Sequence, residues 1–211
     1  MKINVCVADE SHAVYAQQIC DLVYVSAQER GTGIAKRTPE YIAQKMKVGK
    51  AVIALTEEGE LAGFAYVETW SHTLFVANSG LIVAHKFRKT GLAKRIKQEV
   101  FNLSRRKYPD AKIFSITTGA AVMKINSDMG FRPVPFSELT DDAEFWAGCK
   151  GCKNFDILER NNYKMCLCTG LLYDPSDKES KKTIKNKNNE KSRFSIQWWF
   201  RHLLLRPVSK K

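Results

Sequence analysis

Nowhere in the 211 residues does an uninterrupted apolar run approach the roughly 18–20 residues that a membrane-spanning helix needs. The opening stretch, Met1-Lys2-Ile3-Asn4-Val5-Cys6, also lacks the apolar core of a signal peptide, so the expected compartment is the cytoplasm. No G-x-S-x-G element occurs, which leaves covalent hydrolase chemistry unsupported. Two phosphate loops are excluded as well. There is no G-x-x-x-x-G-K-[ST], and Gly31-Thr32-Gly33-Ile34-Ala35-Lys36 ends in Lys where a dinucleotide fingerprint requires Gly. What remains is 44% hydrophobic, enough to bury one sizeable core, and that argues against disorder as the main state.

Charge is unevenly placed. Of 34 basic and 22 acidic residues, 11 and 3 lie from Ser176 onward, leaving 23 against 19 in residues 1–175. The net +12 is therefore mostly a tail, which weakens the polyanion-binding reading that a pI near 9.4 would suggest. Four of the six cysteines crowd together at 149, 152, 166 and 168, and with no mark of export, metal or free thiols are favoured over disulfides.

Ile3–Val7 reads as a strand and Ser11 as the cap of a helix whose apolar stripe is Ala16, Ile19, Cys20, Val23, Tyr24 and Ala27. Thr38-Pro39 opens a second helix. Residues 51–55 and 61–67 form a hairpin around Glu57-Glu58-Gly59-Glu60, and 75–83 is a further strand. Leu92, Ile96, Val100 and Leu103 mark a helix face. Strands at 112–117, 131–134 and 165–173 and a helix at 120–129 complete the order β-α-α-β-β-β-α-β-α-β-β, a mixed α/β or α+β arrangement with one helix-covered sheet.

Val83-Ala84-His85-Lys86-Phe87-Arg88-Lys89-Thr90-Gly91-Leu92-Ala93 leaves a strand and enters a helix. A diphosphate needs several backbone N–H groups converging at a helix N-terminus, with small residues that let it approach. Gly91 and Ala93 are small, and Arg88 and Lys89 add charge.

This segment resembles the R/Q-x-x-G-x-G/A acyl-CoA-binding motif of the GCN5-related N-acetyltransferase (GNAT) superfamily, and the order of elements is similar from Ile3 to about Tyr173. Met129-Gly130-Phe131-Arg132 resembles the Gly-Phe that ends the next helix of that family. The resemblance implies a mostly antiparallel sheet flanked by helices, acetyl-CoA or another acyl-CoA as co-substrate, and acyl transfer to a primary amine. It places the pantetheine and thioester against Leu81, Ile82 and Val83, and the pyrophosphate on Arg88, Lys89, Thr90, Gly91, Leu92 and Ala93. A proton acceptor for the amine is needed near the ends of the third and fourth strands, where Glu68 and His72 rank above His85. Many family members carry a Tyr four residues before the Gly-Phe to protonate the thiolate; here Asn126 stands there, which leaves Ser127, water or no acid.

In the same superfamily the loop between the first two helices lies over the acceptor, and here it carries Arg30, Lys36 and Arg37, suited to carboxylates. Residues 35–40 also resemble the start of amino-acid N-acetyltransferases of the N-acetylglutamate synthase type. The implied acceptor is a small-molecule amine, the α-amine of an amino acid such as glutamate, in arginine biosynthesis. A peptide lysine or a polyamine is the alternative.

Cys149-x-x-Cys152, a 13-residue gap and Cys166-x-Cys168 approach metal-ligand spacing, with Cys166 and Cys168 on one face if they lie in a strand. A structural zinc clamping the 136–168 insertion is expected, with redox-active thiols or a disulfide pair as alternatives. A rival reading is a zinc-ribbon-like module whose basic tail contacts nucleic acid, but these lysines sit in an Asn-rich stretch without interleaved aromatics. The expected organisation is a catalytic domain over residues 1–175, a flexible linker over 176–194, and an amphipathic helix over 195–206. In that helix Ile196, Trp199, Phe200, Leu203 and Leu204 form one face suited to docking on the protein itself, on a second copy in a homodimer, or on a membrane surface.

Overall fold

The computed structural model describes residues 2–30 and 37–177. Its compact unit is Met1–Tyr173; of a second unit, Asp174–Lys211, residues 174–177 are described, with Asp174 accepting from the Ser176 amide. The Gly31–Lys36 part of the basic loop, the linker from residue 178 and the 195–206 helix lie outside the described residues.

Seven strands form one sheet: β1 (Ile3–Val7), β2 (Ala51–Thr56), β3 (Leu61–Trp70), β4 (Phe75–Val83), β5 (Lys112–Thr117), β6 (Arg132–Val134) and β7 (Thr169–Tyr173). Their order is β1-β2-β3-β4-β5-β7-β6. Every neighbouring pair is antiparallel except β4 and β5. That parallel pair requires a crossover, which α3 (Leu92–Lys107) supplies.

Helix α3 buries Leu92, Ile96, Val100 and Leu103 against Val52, Ala54, Ala65 and Val76 on one face of the sheet. Each such side chain contributes about 1.5–3 kcal/mol on leaving water. On the other face, α1 (Ala16–Arg30) and α2 (Pro39–Lys47) place Ile19, Ile42 and Met46 over Ile53, Phe64 and Tyr66. Thr38 caps α2, accepting from the Tyr41 amide, with Pro39 at its first position. Ahead of α1 the chain makes a 3-10 turn, Glu10–Tyr15, capped by Asp9 rather than Ser11, because the Asp9 carboxylate accepts the Ser11 N–H while His12 reaches back to the Asp9 amide.

After α4 (Ala120–Asp128) and β6, the chain adds α5 (Ala143–Ala147) and α6 (Phe155–Arg160) before returning as β7. These two helices carry Trp146 and Leu158 onto Phe114, Val134 and Leu172, a third cluster. Directly opposed residues share a face. The register Glu68↔Ala77, Ala77↔Phe114, Phe114↔Leu172 therefore sets those four side chains in one row across the sheet.

Candidate active site

The ladder between β4 and β5 lasts only three residue pairs, ending at Ala77↔Phe114. Beyond it β5 pairs with β7 from Ser115 to Thr117, while β4 stays with β3 up to Gly63↔Val83. The strands part, and the edge of β4 that faced β5 loses its ladder. A cavity of about 980 Å³ opens there, lined in the slot by Asn78–Leu81 of β4 and by Ser115–Thr117 of β5 with the following Thr118. A bulge sharpens the divergence. Phe64 opposes Ile82 but Tyr66 opposes Ser79, so β4 carries one additional residue, and Gly80 takes a φ of +65° that a side chain would resist.

The wider part of the cavity lies over the sheet face that carries Tyr66, Glu68 and Trp70, alternate residues of β3. Arg37, Tyr41 and Lys45 approach at four-residue spacing, the last two on α2. Arg37 Nε donates to the Tyr66 hydroxyl at 3.0 Å, and its carbonyl accepts from the Cys20 thiol at 3.4 Å, tying it to α1. The two neighbouring phenols hold the Arg37 guanidinium above its ordinary range against the opposing effect of burial. Tyr41 donates to Glu68 Oε2, and Lys45 Nζ stands 2.5 Å from the same oxygen. Burial, then the Tyr66 and Glu68 neighbours, push the Tyr41 phenol far up, so it stays a donor to that carboxylate. Trp70 lies two residues along, its buried Nε1 without a hydrogen-bond partner among the described residues.

The far wall comes from the 136–168 segment: Phe136, Phe145, Trp146, Phe155 and Leu158, with Cys149, Cys152, Cys166 and Cys168. The Asn154 amide donates to Cys152 Sγ at 3.4 Å. Burial and the neighbouring thiols push Cys149 up to about 11 and Cys168 up to about 12. None of the four is in a disulfide. Among the described residues, no group of three or more His, Cys, Asp or Glu is arranged to hold a metal ion. The expected zinc clamp is not supported. β7 begins at Thr169, so Cys166 and Cys168 lie in the loop before it and do not share a strand face.

At the exit of β4, a 3-10 turn (His85–Phe87) leads to Gly91, the N-cap of α3, at φ +82°. Lys89 is also left-handed at +65°, a conformation that curls successive amides towards one side. The first amides of α3 have no intrahelical partner. A Cβ on Gly91 would meet nothing within 4 Å, so open space adjoins them.

No protein-family model and no curated protein matches the sequence. Solved structures do match the fold. N-acetylglutamate synthase from Neisseria gonorrhoeae, solved with coenzyme A and N-acetyl-glutamate, superimposes at a TM-score of 0.59 with 17% identity over 82% of this chain. This chain spans 35% of that one. Diaminobutyrate acetyltransferase from Paenibacillus lautus, with L-2,4-diaminobutyric acid and coenzyme A, gives 0.55 and 11%, covering 82% of this chain and 95% of the other. A GNAT superfamily phosphinothricin acetyltransferase from Sinorhizobium meliloti, with acetyl-CoA, gives 0.56 and 13%, covering 82% and 89%. The chain has the GNAT fold.

Within that fold the sequence-derived residues separate into groups. Glu68 and Arg37 meet in one cavity, which continues into the β4–β5 slot. Leu81 lines it, whereas the Ile82 and Val83 side chains are buried in the two opposite cores. The Arg88 guanidinium turns away from the loop to Glu29, Ser26 and the Val83 carbonyl, and Thr90 bonds the Phe87 carbonyl, so these two side chains shape the turn. His72 is exposed in the Ser71–Leu74 turn, Ser127 is exposed on α4, and His85 is exposed too; none lines the cavity. Asn126 is fully buried, both of its amide atoms without partners among the described residues. Lys36 lies outside the described residues, and of Arg30 only the backbone is described. Sequence reasoning missed Tyr41, Lys45, Tyr66 and Trp70, although the 37-41-45 spacing and the 66-68-70 alternation were present to be read.

Proposed function

We propose that the protein is an acyl-CoA-dependent N-acyltransferase acting on the α-amine of an amino acid. The observation that carries this reading is a single cavity uniting the unpaired β4 edge with a carboxylate, Glu68, and a guanidinium, Arg37. An acyl thioester supplies an activated carbonyl, and its elongated pantetheine suits a slot whose strand edge offers free backbone groups. The open, left-handed turn at Lys89 and Gly91 with the α3 N-terminus would hold the pyrophosphate.

Arg37 would orient the acceptor through its carboxylate, since a guanidinium has five donors and a planar fork for two oxygens. Glu68 would take the proton the attacking amine loses. Both of its fixed contacts use Oε2, which directs Oε1 to that task. With Asn126 buried where the family resemblance places a Tyr, the thiolate departs without that acid; a thiol with an ordinary pKa near 8.5 needs none. Within this acceptor class, glutamate and arginine biosynthesis rest on the short likeness of residues 35–40 alone.

The test is thiol release by purified protein from acetyl-CoA and succinyl-CoA against amino acids, polyamines and a lysine peptide. Release dependent on an amino acid is expected. Turnover with polyamines or peptides but with no amino acid would overturn the reading.

A further inference from the structure

We infer that the acceptor is a monocarboxylic amino acid whose side chain is neutral and apolar, aliphatic, thioether or aromatic, rather than glutamate. The inference rests on the acyl-transfer reading and goes beyond it by naming the side chain.

The geometry around Glu68 carries it. Ala77 and then Phe114 lie beside Glu68 in the cross-sheet row, so the floor next to the base is a methyl group followed by an aromatic ring. Phe114 and Trp70 both stack edge-on against Phe145, at 4.9 and 5.6 Å between ring centres. Phe145, Phe155 and Ile116 are only partly buried and face the cavity with the four cysteines. Cys149 and Cys168, pushed up by burial, are uncharged thiols at neutral pH and extend this apolar surface.

Charge points the same way. Arg37 Nη2 stands 3.7 Å from where a Cβ on Gly148 would lie, so the guanidinium abuts the aromatic wall. A carboxylate held there leaves the amino acid's side chain to run along Phe145. Among the described lining residues the only other cation is Lys153, whereas Asp21, Glu68 and Glu144 are acidic. A second carboxylate carried along Phe145 would meet apolar rings, at a large desolvation cost.

The experiment is kcat/KM with acetyl-CoA for leucine, methionine, phenylalanine and tyrosine against glutamate, aspartate and spermidine, on the full chain. A preference of about tenfold or more for the apolar group is expected, the scale a hydrophobic pocket gives. Phe145→Leu should lower kcat/KM for phenylalanine about tenfold, and by more than for leucine, while leaving the KM for acetyl-CoA within about twofold. Preference for glutamate overturns this inference and leaves the acyl-transfer reading standing. Thiol release that none of these amines increases overturns both. Equal loss for every acceptor in Phe145→Leu would assign that ring to packing alone and overturn its place in the pocket.

Discussion

Gly80 lies against Tyr66 across the β3–β4 ladder so closely that a Cβ on Gly80 would fall 2.5 Å from the Tyr66 ring. The same residue holds a φ of +65° at the bulge that parts β4 from β5. Gly80→Ala must strain the turn and displace a ring whose hydroxyl accepts from Arg37. A loss of about 1–3 kcal/mol in denaturant unfolding is expected, together with a raised KM for the acceptor. An unchanged acceptor KM would separate the bulge from the Arg37 anchor.

Glu68→Gln keeps the shape and removes the proposed base. A fall in kcat of about 10²–10⁴ is expected, with the KM for acyl-CoA little changed. Arg37→Lys should act differently, raising the acceptor KM because an ammonium cannot reproduce the planar fork. Steady-state kinetics with both substrates varied distinguish the two.

Lys97 is fully buried on α3, its Nζ bonded to Asn78 Oδ1 at 3.1 Å and 5.0 Å from the centre of the Phe131 ring. Burial lowers its pKa from 10.5 to about 7. Between those values the unfolded chain binds a proton that the folded chain lacks, so this group makes stability rise with pH across the window, by up to about 1.4 kcal/mol per unit, and contributes no slope below or above it. Lys97→Met should therefore unfold at higher temperature than the parent near pH 7, the gap closing towards pH 10.5. Thermal melts of the pair across that range measure it, and a gap that does not vary with pH would refute the assignment.

Cys149 and Cys168, held at about 11 and about 12, carry little thiolate at pH 8. Iodoacetamide should alkylate both at least tenfold more slowly in the native protein than in the unfolded chain. Peptide mass spectrometry over a time course reads this directly.

The helix faces and strands of the N-terminal half were legible because their periods are clean: Leu92, Ile96, Val100 and Leu103 fall on one stripe that α3 buries. The β4–β5 parting was not, since nothing local to Ala77 or Phe114 says that pairing stops there. Nor was the start of β7. Met165-Cys166-Leu167-Cys168 alternates like a strand, yet Met165 and Leu167 are exposed and Thr169 opens the ladder. At the site, Arg37 and Glu68 were readable as residue types, and Tyr41 and Tyr66 lie four and two residues from them in the same segments; the packing of α2 over β3 that brings the two pairs together was not readable.

The three residue pairs from Phe75↔Lys112 to Ala77↔Phe114 are also the only ladder between the β1–β4 half of the sheet and the β5-β7-β6 half among the described residues. Whatever molecule seats in the slot therefore acts as mortar between two slabs joined by a short seam. Coenzyme A should slow amide hydrogen exchange in β4 and β5 together, and make the two halves unfold more nearly as one unit than they do without it.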